Sequence, residues 1–157
     1  MDNSYLWLKV LHIVGVVLFL GNIIIITGWW KNMADRTKNA QVIAFAQRQV
    51  TVTDWLFNAG GSVILTIAGA FNVHTSWSYS MKWLQMGIGL FAISAIIWAF
   101  ILIPTQIKQA KMAQLFAETG VISDVYWQLC RRWNIWGGLA VVVPLGAVYF
   151  MTFKTMA

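Results

Sequence analysis

Cysteine is nearly absent from this chain, and charged residues are scarce. Cys130 is the single cysteine among 157 residues, which excludes an intrachain disulfide and a cysteine-based metal cluster. Charged residues make up 10% of the chain, whereas soluble domains contain about 25%. Apolar residues make up 59%, and the mean hydropathy is +0.68. The composition therefore indicates an integral membrane protein.

Acidic residues are the rarer charge, with five Asp and Glu against eleven Lys and Arg. In a soluble protein the resulting net charge of +6 would suggest a nucleic-acid partner. In a membrane protein it follows from the enrichment of Lys and Arg in cytoplasmic connectors. We therefore predict a lipid bilayer as the partner and no nucleic acid.

Four apolar segments are long enough to cross a bilayer. About twenty apolar residues at 1.5 Å rise per residue span a hydrocarbon core roughly 30 Å thick. The predicted spans are residues 5–30, 55–73, 81–103 and 134–153. The pattern predicts an all-α fold, an integral membrane four-helix up-down bundle that forms a single domain over residues 1–157, because no internal repeat divides the chain.

The segments between the spans carry local helix signals. We expect a polar loop after Trp30, followed by an amphipathic helix before the second span. Pro104 is predicted to end or kink the third span, and Ser123 to cap the last helix. Pro144 lies within the fourth span, where its missing N–H frees a carbonyl that a neighbouring group must satisfy.

Helical periodicity selects one face of each helix for the bundle interior. On the first helix this face carries Tyr5, His12, Gly15, Phe19 and Asn22. On the second it carries Asp54, Asn58, Gly61, Leu65, Gly69 and Asn72. On the third it carries Gln85, Gly89, Ala92, Ile96 and Ala99. On the fourth it carries Gln128, Arg131, Ile135, Gly138, Val142 and Tyr149.

The basic residues predict the orientation. Eight of the eleven Lys and Arg lie in or beside the first and third connectors. By the positive-inside rule those connectors are cytoplasmic and both termini are non-cytoplasmic. The ten tryptophans group near the ends of the spans, as interfacial belts do.

An up-down bundle places one polar group near the cytoplasmic ends of the helices. Its members are Asn22, Asp54, Asn58, Gln106, Arg131 and Asn134. We predict a structural ion pair between Asp54 and Arg131 that fixes helix register. The alternative is a binding site for an anionic headgroup or small anion at Arg131 and Arg132.

A second polar group lies near the opposite ends of the helices. Its members are Tyr5, Lys9, His12, His74, Lys82, Gln85 and Tyr149. Imidazole is a common axial ligand of haem iron, and Gly15 and Gly89 would leave room for a flat macrocycle. This favours haem b with His12 and His74 as metal ligands, or with Lys82 in place of His74 opposite His12. The alternative is that His12 makes an interhelical hydrogen bond to Gln85 or Tyr149.

Four segments carry a family resemblance: LWLKVLHIVGVVLFLGN, AFAQRQVTVTDWLFNAGG, ILIPTQIKQAK and YWQLCRRWNIWGGLA. They resemble the bacterial integral membrane proteins grouped as domain of unknown function 2269, over nearly the whole chain, and this resemblance implies four helices and a location in the bacterial inner (cell) membrane. More distantly, LKVLHIVGVVLFLG is similar to the first helix of the four-helix membrane protoporphyrinogen oxidases and of copper-resistance membrane proteins. The oxidase resemblance implies a haem at His12 and a functional lysine at Lys82.

Two functions follow as hypotheses. The first is a b-type haem protein for electron transfer or porphyrin handling near the non-cytoplasmic face, with Lys82, Gln85 and Tyr149 beside the cofactor and a quinone or membrane redox partner. The second is a non-enzymatic membrane scaffold or a lipid- or small-molecule-binding module, in which the polar residues serve helix packing. Both allow a homo-oligomer, and the sequence leaves enzymatic activity open.

Overall fold

The computed structural model describes residues 3–154 and consists of four long helices. They are α1 (Asn3–Arg36), α2 (Ala40–Ser76), α3 (Lys82–Thr119) and α4 (Asp124–Phe153). Each is long and apolar enough to cross a membrane, and residues 3–154 contain no β-strand. The predicted all-α membrane bundle is confirmed.

All four helices are longer than the predicted spans. The longest, α3, has 38 residues and therefore extends about 57 Å at 1.5 Å per residue, nearly twice the thickness of a hydrocarbon core. The extra length lies at the end of the bundle that holds the turns 37–39 and 120–123, which we call the basic end. The parts of the helices within residues 31–53 and 103–133 form what we call the stem. The end with the chain termini and the turn 77–81 is the terminal end.

The first connector is much shorter than predicted. Helix α1 does not end at Trp30 but continues to Arg36, and only residues 37–39 separate it from α2. Asn39 caps α2, because its side-chain oxygen accepts hydrogen bonds from the backbone N–H groups of Gln41 (3.0 Å) and Val42 (3.2 Å). The predicted amphipathic helix is the first part of α2.

Pro104 does not end α3. A π-helical segment, Trp98–Leu102, precedes it, and Pro104 lies at the start of the α-helical segment that follows. At the next turn Gly120 adopts φ 73°, and Ser123 takes the predicted N-cap position with extended backbone, although its side chain makes no capping hydrogen bond.

The stem has its own apolar core, contributed by α2, α3 and α4. It consists of Ala40, Ile43, Ala113, Phe116, Tyr126 and Cys130. The rings of Phe116 and Tyr126 meet edge to face with centroids 5.1 Å apart. This packing explains why the helices stay ordered beyond the predicted spans.

The predicted inward faces of α1 and α2 are confirmed. All six predicted residues of α2 are buried or half-buried, as are all five of α1. The two helices cross at Gly15 and Gly61: a Cβ added to Gly15 would lie 2.6 Å from the backbone nitrogen of Leu65. Small residues that let two backbones approach are a common means of helix association in membranes.

The predicted inward faces of α3 and α4 are wrong. Every residue predicted to face inward on these two helices is exposed. On α3 the buried side instead includes Trp83, Leu84, Gly87, Ser94, Leu102, Thr105, Gln106 and Gln109. On α4 the buried residues are Tyr126, Cys130, Trp133, Ala140, Pro144 and Ala147. Small residues occur on both sides of α3 and α4, so small size did not identify the packed side.

The carbonyl freed by Pro144 has the partner that the sequence requires. Pro144 lacks an N–H for the carbonyl of Ala140, four residues earlier. The hydroxyl of Ser94 on α3 donates a hydrogen bond to that carbonyl at 2.9 Å. This buried bond joins α3 to α4 across the inward sides of both helices.

Candidate functional site

His12 contacts the backbone of α2. Its Nδ1 lies 2.7 Å from the carbonyl oxygen of Leu65, and because a carbonyl only accepts, Nδ1 carries the proton and donates. The ring packs against Gly69, where an added Cβ would lie 3.0 Å from Nδ1. The predicted partners Gln85 and Tyr149 are not used. His12 is an interhelical contact between α1 and α2.

The other residues of the terminal-end polar group do not converge on His12. The amide of Gln85 donates to the carbonyl of Tyr79 at 3.0 Å, and the half-exposed Tyr149 packs against the rings of Phe150 and Phe153. Lys9, His74 and Lys82 are exposed, and Tyr5 is half-buried. The residues predicted to form one site are therefore dispersed.

The two glycines predicted to leave room for a haem do not flank a common open space. Gly15 provides no room for a macrocycle, because the backbone of α2 occupies the space in front of it. Gly89 is exposed and has no heavy atom within 4 Å of an added Cβ. His74 lies on an exposed side of α2, five residues beyond the glycine that contacts His12. Within residues 3–154 no group of three His, Cys, Asp or Glu side chains is placed to hold a metal ion, an observation that concerns metal centres built from protein side chains and not a haem, whose iron takes one or two axial ligands.

The polar group at the basic end, in contrast, is assembled around Asp54. The carboxylate oxygen Oδ1 accepts hydrogen bonds from the amide of Asn22 at 2.7 Å and the hydroxyl of Thr27 at 2.9 Å. The amide of Gln106 on α3 reaches the hydroxyl of Thr51 at 3.4 Å, one turn before Asp54. We call Asn22, Thr27, Asp54, Asn58 and Gln106 the Asp54 centre, and all five are buried.

The predicted ion pair between Asp54 and Arg131 is not formed. Asp54 is 2% exposed, and its partners lie on α1, whereas Arg131 lies on the exposed side of α4. The prediction failed because it placed the wrong side of α4 inward. Lys31 and Asp35 form the ion pair found within residues 3–154, with Nζ and Oδ2 2.7 Å apart.

Three π-helical segments accompany the Asp54 centre. The segment Asn22–Trp30 of α1 begins at Asn22, and the segment Asp54–Ala59 of α2 begins at Asp54. On α3, Trp98–Leu102 ends four residues before Gln106. π-Helical turns are rare and occur frequently at functional sites, because they displace side chains from the regular helical positions.

A second buried polar cluster lies in the stem and was not predicted from the sequence. Lys31, which is 1% exposed, donates to Asp35 and lies 3.5 Å from the sulfur of Cys130. The amide of Gln109 donates to the same sulfur at 3.3 Å, and the hydroxyl of Tyr126 donates to Asp35 at 3.0 Å. The spacing of Lys31 and Asp35 by four residues was the available indication of a pair.

Both titratable side chains of α4 in this cluster lie in the stem, before the predicted span 134–153. Burial raises the pKa of the Cys130 thiol above its ordinary value, although the nearby ammonium of Lys31 opposes the shift. Burial likewise raises the pKa of Tyr126, and the carboxylate of Asp35 adds to this effect. Both groups therefore stay protonated at neutral pH, and the cluster serves to join α1 to α4.

A groove of about 670 Å³ runs along the outside of this cluster, between α1 and α4. It is lined by Asn32, Asp35, Arg36, Trp127, Cys130, Arg131, Asn134 and Ile135. The amide of Asn134 donates to the side-chain oxygen of Asn32 at 2.9 Å and bridges the two helices. The alternative prediction was an anion-binding site at Arg131 and Arg132. Arg131 lines the groove, whereas Arg132 is exposed but does not line it.

The fold and these polar groups define a four-helix, multi-pass integral membrane protein. The chain matches over residues 6–155 the family model described as a predicted integral membrane protein, domain of unknown function 2269, and it belongs to that family. The family resemblance predicted from the four segments is thereby confirmed. No curated protein and no solved structure matches the chain.

Proposed function

We propose that this protein is a non-enzymatic membrane module that binds an anionic lipid headgroup in the groove between α1 and α4. The observation that carries the proposal is the placement of Arg36 and Arg131 on the walls of this groove, both exposed. Neither forms an ion pair within residues 3–154. Guanidinium groups bind phosphate oxygens through two parallel hydrogen bonds.

The other groove residues are compatible with such a ligand. Asp35 would repel an anion, but its two carboxylate oxygens already accept from Lys31 and Tyr126. Trp127 and Ile135 supply an apolar edge, and tryptophan is enriched where helices leave the hydrocarbon core. The groove therefore combines a cationic wall with the polarity of a membrane interface.

The proposed orientation places the groove at the cytoplasmic face of a bacterial inner membrane. Eight of the eleven Lys and Arg belong to the basic end, and anionic lipids attract basic segments at that face. Fusions of a periplasm-active and a cytoplasm-active reporter to Ala157 test this orientation. Activity of only the cytoplasmic reporter would show that the orientation is reversed.

Lipid retention tests the proposed function. The purified protein is prepared with phosphatidylglycerol and with phosphatidylcholine, and retained lipid is quantified by native mass spectrometry. Each basic residue near an anionic surface contributes about 1 kcal/mol, so the double substitution Arg36→Gln and Arg131→Gln should weaken retention of phosphatidylglycerol by about thirtyfold. Retention of phosphatidylcholine should be unchanged.

A matched control removes two exposed basic residues of α3 that do not line the groove, through Lys108→Gln and Lys111→Gln. This control should retain phosphatidylglycerol as the unmodified protein does. Equal losses in both double variants would show general surface attraction and would contradict a groove site.

Binding of haem b for electron transfer or porphyrin handling, with a quinone or redox partner, is a second candidate. One observation favours it: a ligating imidazole usually donates its other N–H to a fixed acceptor, and His12 donates Nδ1–H to Leu65. Haem binding is the weaker of the two candidates, because the backbone of α2 fills the space beside Gly15. Protein produced with ample haem should show a Soret band that His12→Ala removes, and a colourless, folded preparation would reject the candidate.

A further inference from the structure

We propose that the Asp54 centre binds a monovalent alkali cation, of which sodium is the test case. The proposal rests on three buried oxygen atoms: Oδ2 of Asp54 and Oδ1 of Asn22 and of Asn58. None of them has a partner at hydrogen-bond distance and angle within residues 3–154, although the side chain of Gln106 lies near the Asp54 carboxylate. This site lies among α1, α2 and α3 and is separate from the groove proposed to bind lipid.

The three oxygens belong to one small region. The side-chain amide of Asn22 donates a hydrogen bond to Asp54. The side-chain oxygen of Asn22 belongs to the same planar amide group and therefore lies close to this bond. Asn58 follows Asp54 by four residues, on the same side of α2. Each of the three side chains is at least 96% buried, since their exposed fractions are 4%, 2% and 2%.

The chemistry of these atoms selects a cation. All three are acceptors, and a buried acceptor without a donor loses the hydration that it had in the unfolded chain. The amide of Asn22 cannot be rotated to reverse this, because its NH₂ group is used by the carboxylate. A cation satisfies several oxygen acceptors at once, whereas one additional N–H donor would satisfy a single atom.

The charge of the centre selects a monovalent ion. Asp54 receives hydrogen bonds only from neutral groups, and within residues 3–154 no Lys, Arg or His pairs with it. A buried carboxylate requires a compensating charge, and a single positive charge leaves the centre neutral. A calcium or magnesium ion would instead leave this buried centre with a net positive charge, which is costly in a site that excludes water.

The backbone provides an independent indication of a built site. The π-helical segments of α1 and α2 begin at Asn22 and Asp54, the two residues that form the 2.7 Å bond. Each π-helical turn costs regular hydrogen-bond geometry and re-aims the side chains that follow. Two such turns begin at Asn22 and Asp54, which bond to each other. This indicates that the two helices are shaped to place the oxygen atoms of these side chains.

Thermal unfolding in controlled salts tests the proposal. The full chain in detergent is titrated with sodium chloride and, at equal ionic strength, with N-methyl-D-glucamine chloride, and retained ²²Na⁺ is counted in parallel. Because a ligand that binds the folded state stabilises it by mass action, Tm should rise with the logarithm of the sodium concentration above Kd. The organic cation should produce no such rise.

Variants locate the site. Asp54→Asn and Asn58→Ala should each abolish the sodium-dependent rise in Tm and the retention of ²²Na⁺, whereas Glu118→Gln, which removes an exposed carboxylate, should leave both unchanged. If Asp54→Asn fails to fold, Asn58→Ala and the titration of the unmodified protein decide the question.

Two results would overturn the proposal. Equal Tm in both salts without retained ²²Na⁺ would show that water or protonation satisfies the three oxygens. A sodium-dependent rise that persists in Asn58→Ala and Asp54→Asn would place the ion elsewhere.

Discussion

The two helix pairs of this bundle are held together by different contacts. In α1 and α2 the backbones touch: an added Cβ at Gly61 would lie 2.9 Å from the backbone nitrogen of Phe19. In α3 and α4 a side chain fills the corresponding space, since an added Cβ at Gly87 would meet Cε of Met151 at 2.5 Å. The first contact is rigid and the second is adaptable, because methionine has several rotatable bonds.

This difference explains why the inward faces of α1 and α2 were predictable from the sequence and those of α3 and α4 were not. On α1 and α2 the glycines share a face with polar residues, so two independent properties indicate the same side. On α3, Gly87 faces α4 whereas Gly89 is exposed. A glycine therefore predicts a packed face only when a second property of the same face agrees with it.

The largest effect is expected at the backbone contact. Gly15→Ala should lower the free energy of unfolding by about 3 kcal/mol, the upper part of the usual range for overpacking, because the backbone of α2 cannot move aside locally. Unfolding in a graded series of denaturing detergent measures it. Gly89→Ala is the control and should have no effect, and equal losses in the two variants would contradict a distinction based on contact.

Removal of the Asp54 carboxylate is expected to cost about 2 kcal/mol, because Asn22 and Thr27 would be left as buried donors without an acceptor. Asp54→Ala measures this in the same assay. Arg131→Ala should have little effect, and the double variant should equal the sum of the singles. Non-additive effects of the two substitutions would instead indicate an ion pair between Asp54 and Arg131, which the structure does not contain.

The bond between Ser94 and the Ala140 carbonyl should contribute about 0.6 to 1 kcal/mol, the usual range for interhelical hydrogen bonds in membranes. Ser94→Ala removes it. Pro144→Ala restores an N–H to α4 that can serve the same carbonyl, so Ser94→Ala should cost less in that background. A double-mutant cycle measures the coupling, and additive effects would show that Pro144 does not create the need for Ser94.

The smallest effect is expected at the adaptable contact. Gly87→Ala should cost about 0.5 kcal/mol, below the usual range for overpacking, because Met151 can change its side-chain rotamers. Replacing Met151 with the stiffer Ile should make Gly87→Ala more costly. If Gly87→Ala is as damaging as Gly15→Ala, the two helix pairs do not differ in rigidity.

The polar residues were grouped correctly by depth at one end of the bundle. Asn22, Asp54 and Asn58 were predicted to lie together and do, because each occupies a face with a clear helical period. Arg131 was assigned to the same group, but a half-turn error in the orientation of α4 moves it from the interior to the groove. The stem cluster was missed because it joins residues about a hundred positions apart, such as Lys31 and Cys130.

The sequence by itself determined the number of helices, their membrane character and the inward faces of α1 and α2, because hydrophobic length and helical period are local properties. The sides on which α3 and α4 pack were decided only in the tertiary structure. Lipid is as apolar as a leucine-rich helix face, so hydrophobicity does not distinguish the two sides of a membrane helix. The distinction comes from specific contacts, such as the hydroxyl of Ser94 on the carbonyl that Pro144 frees.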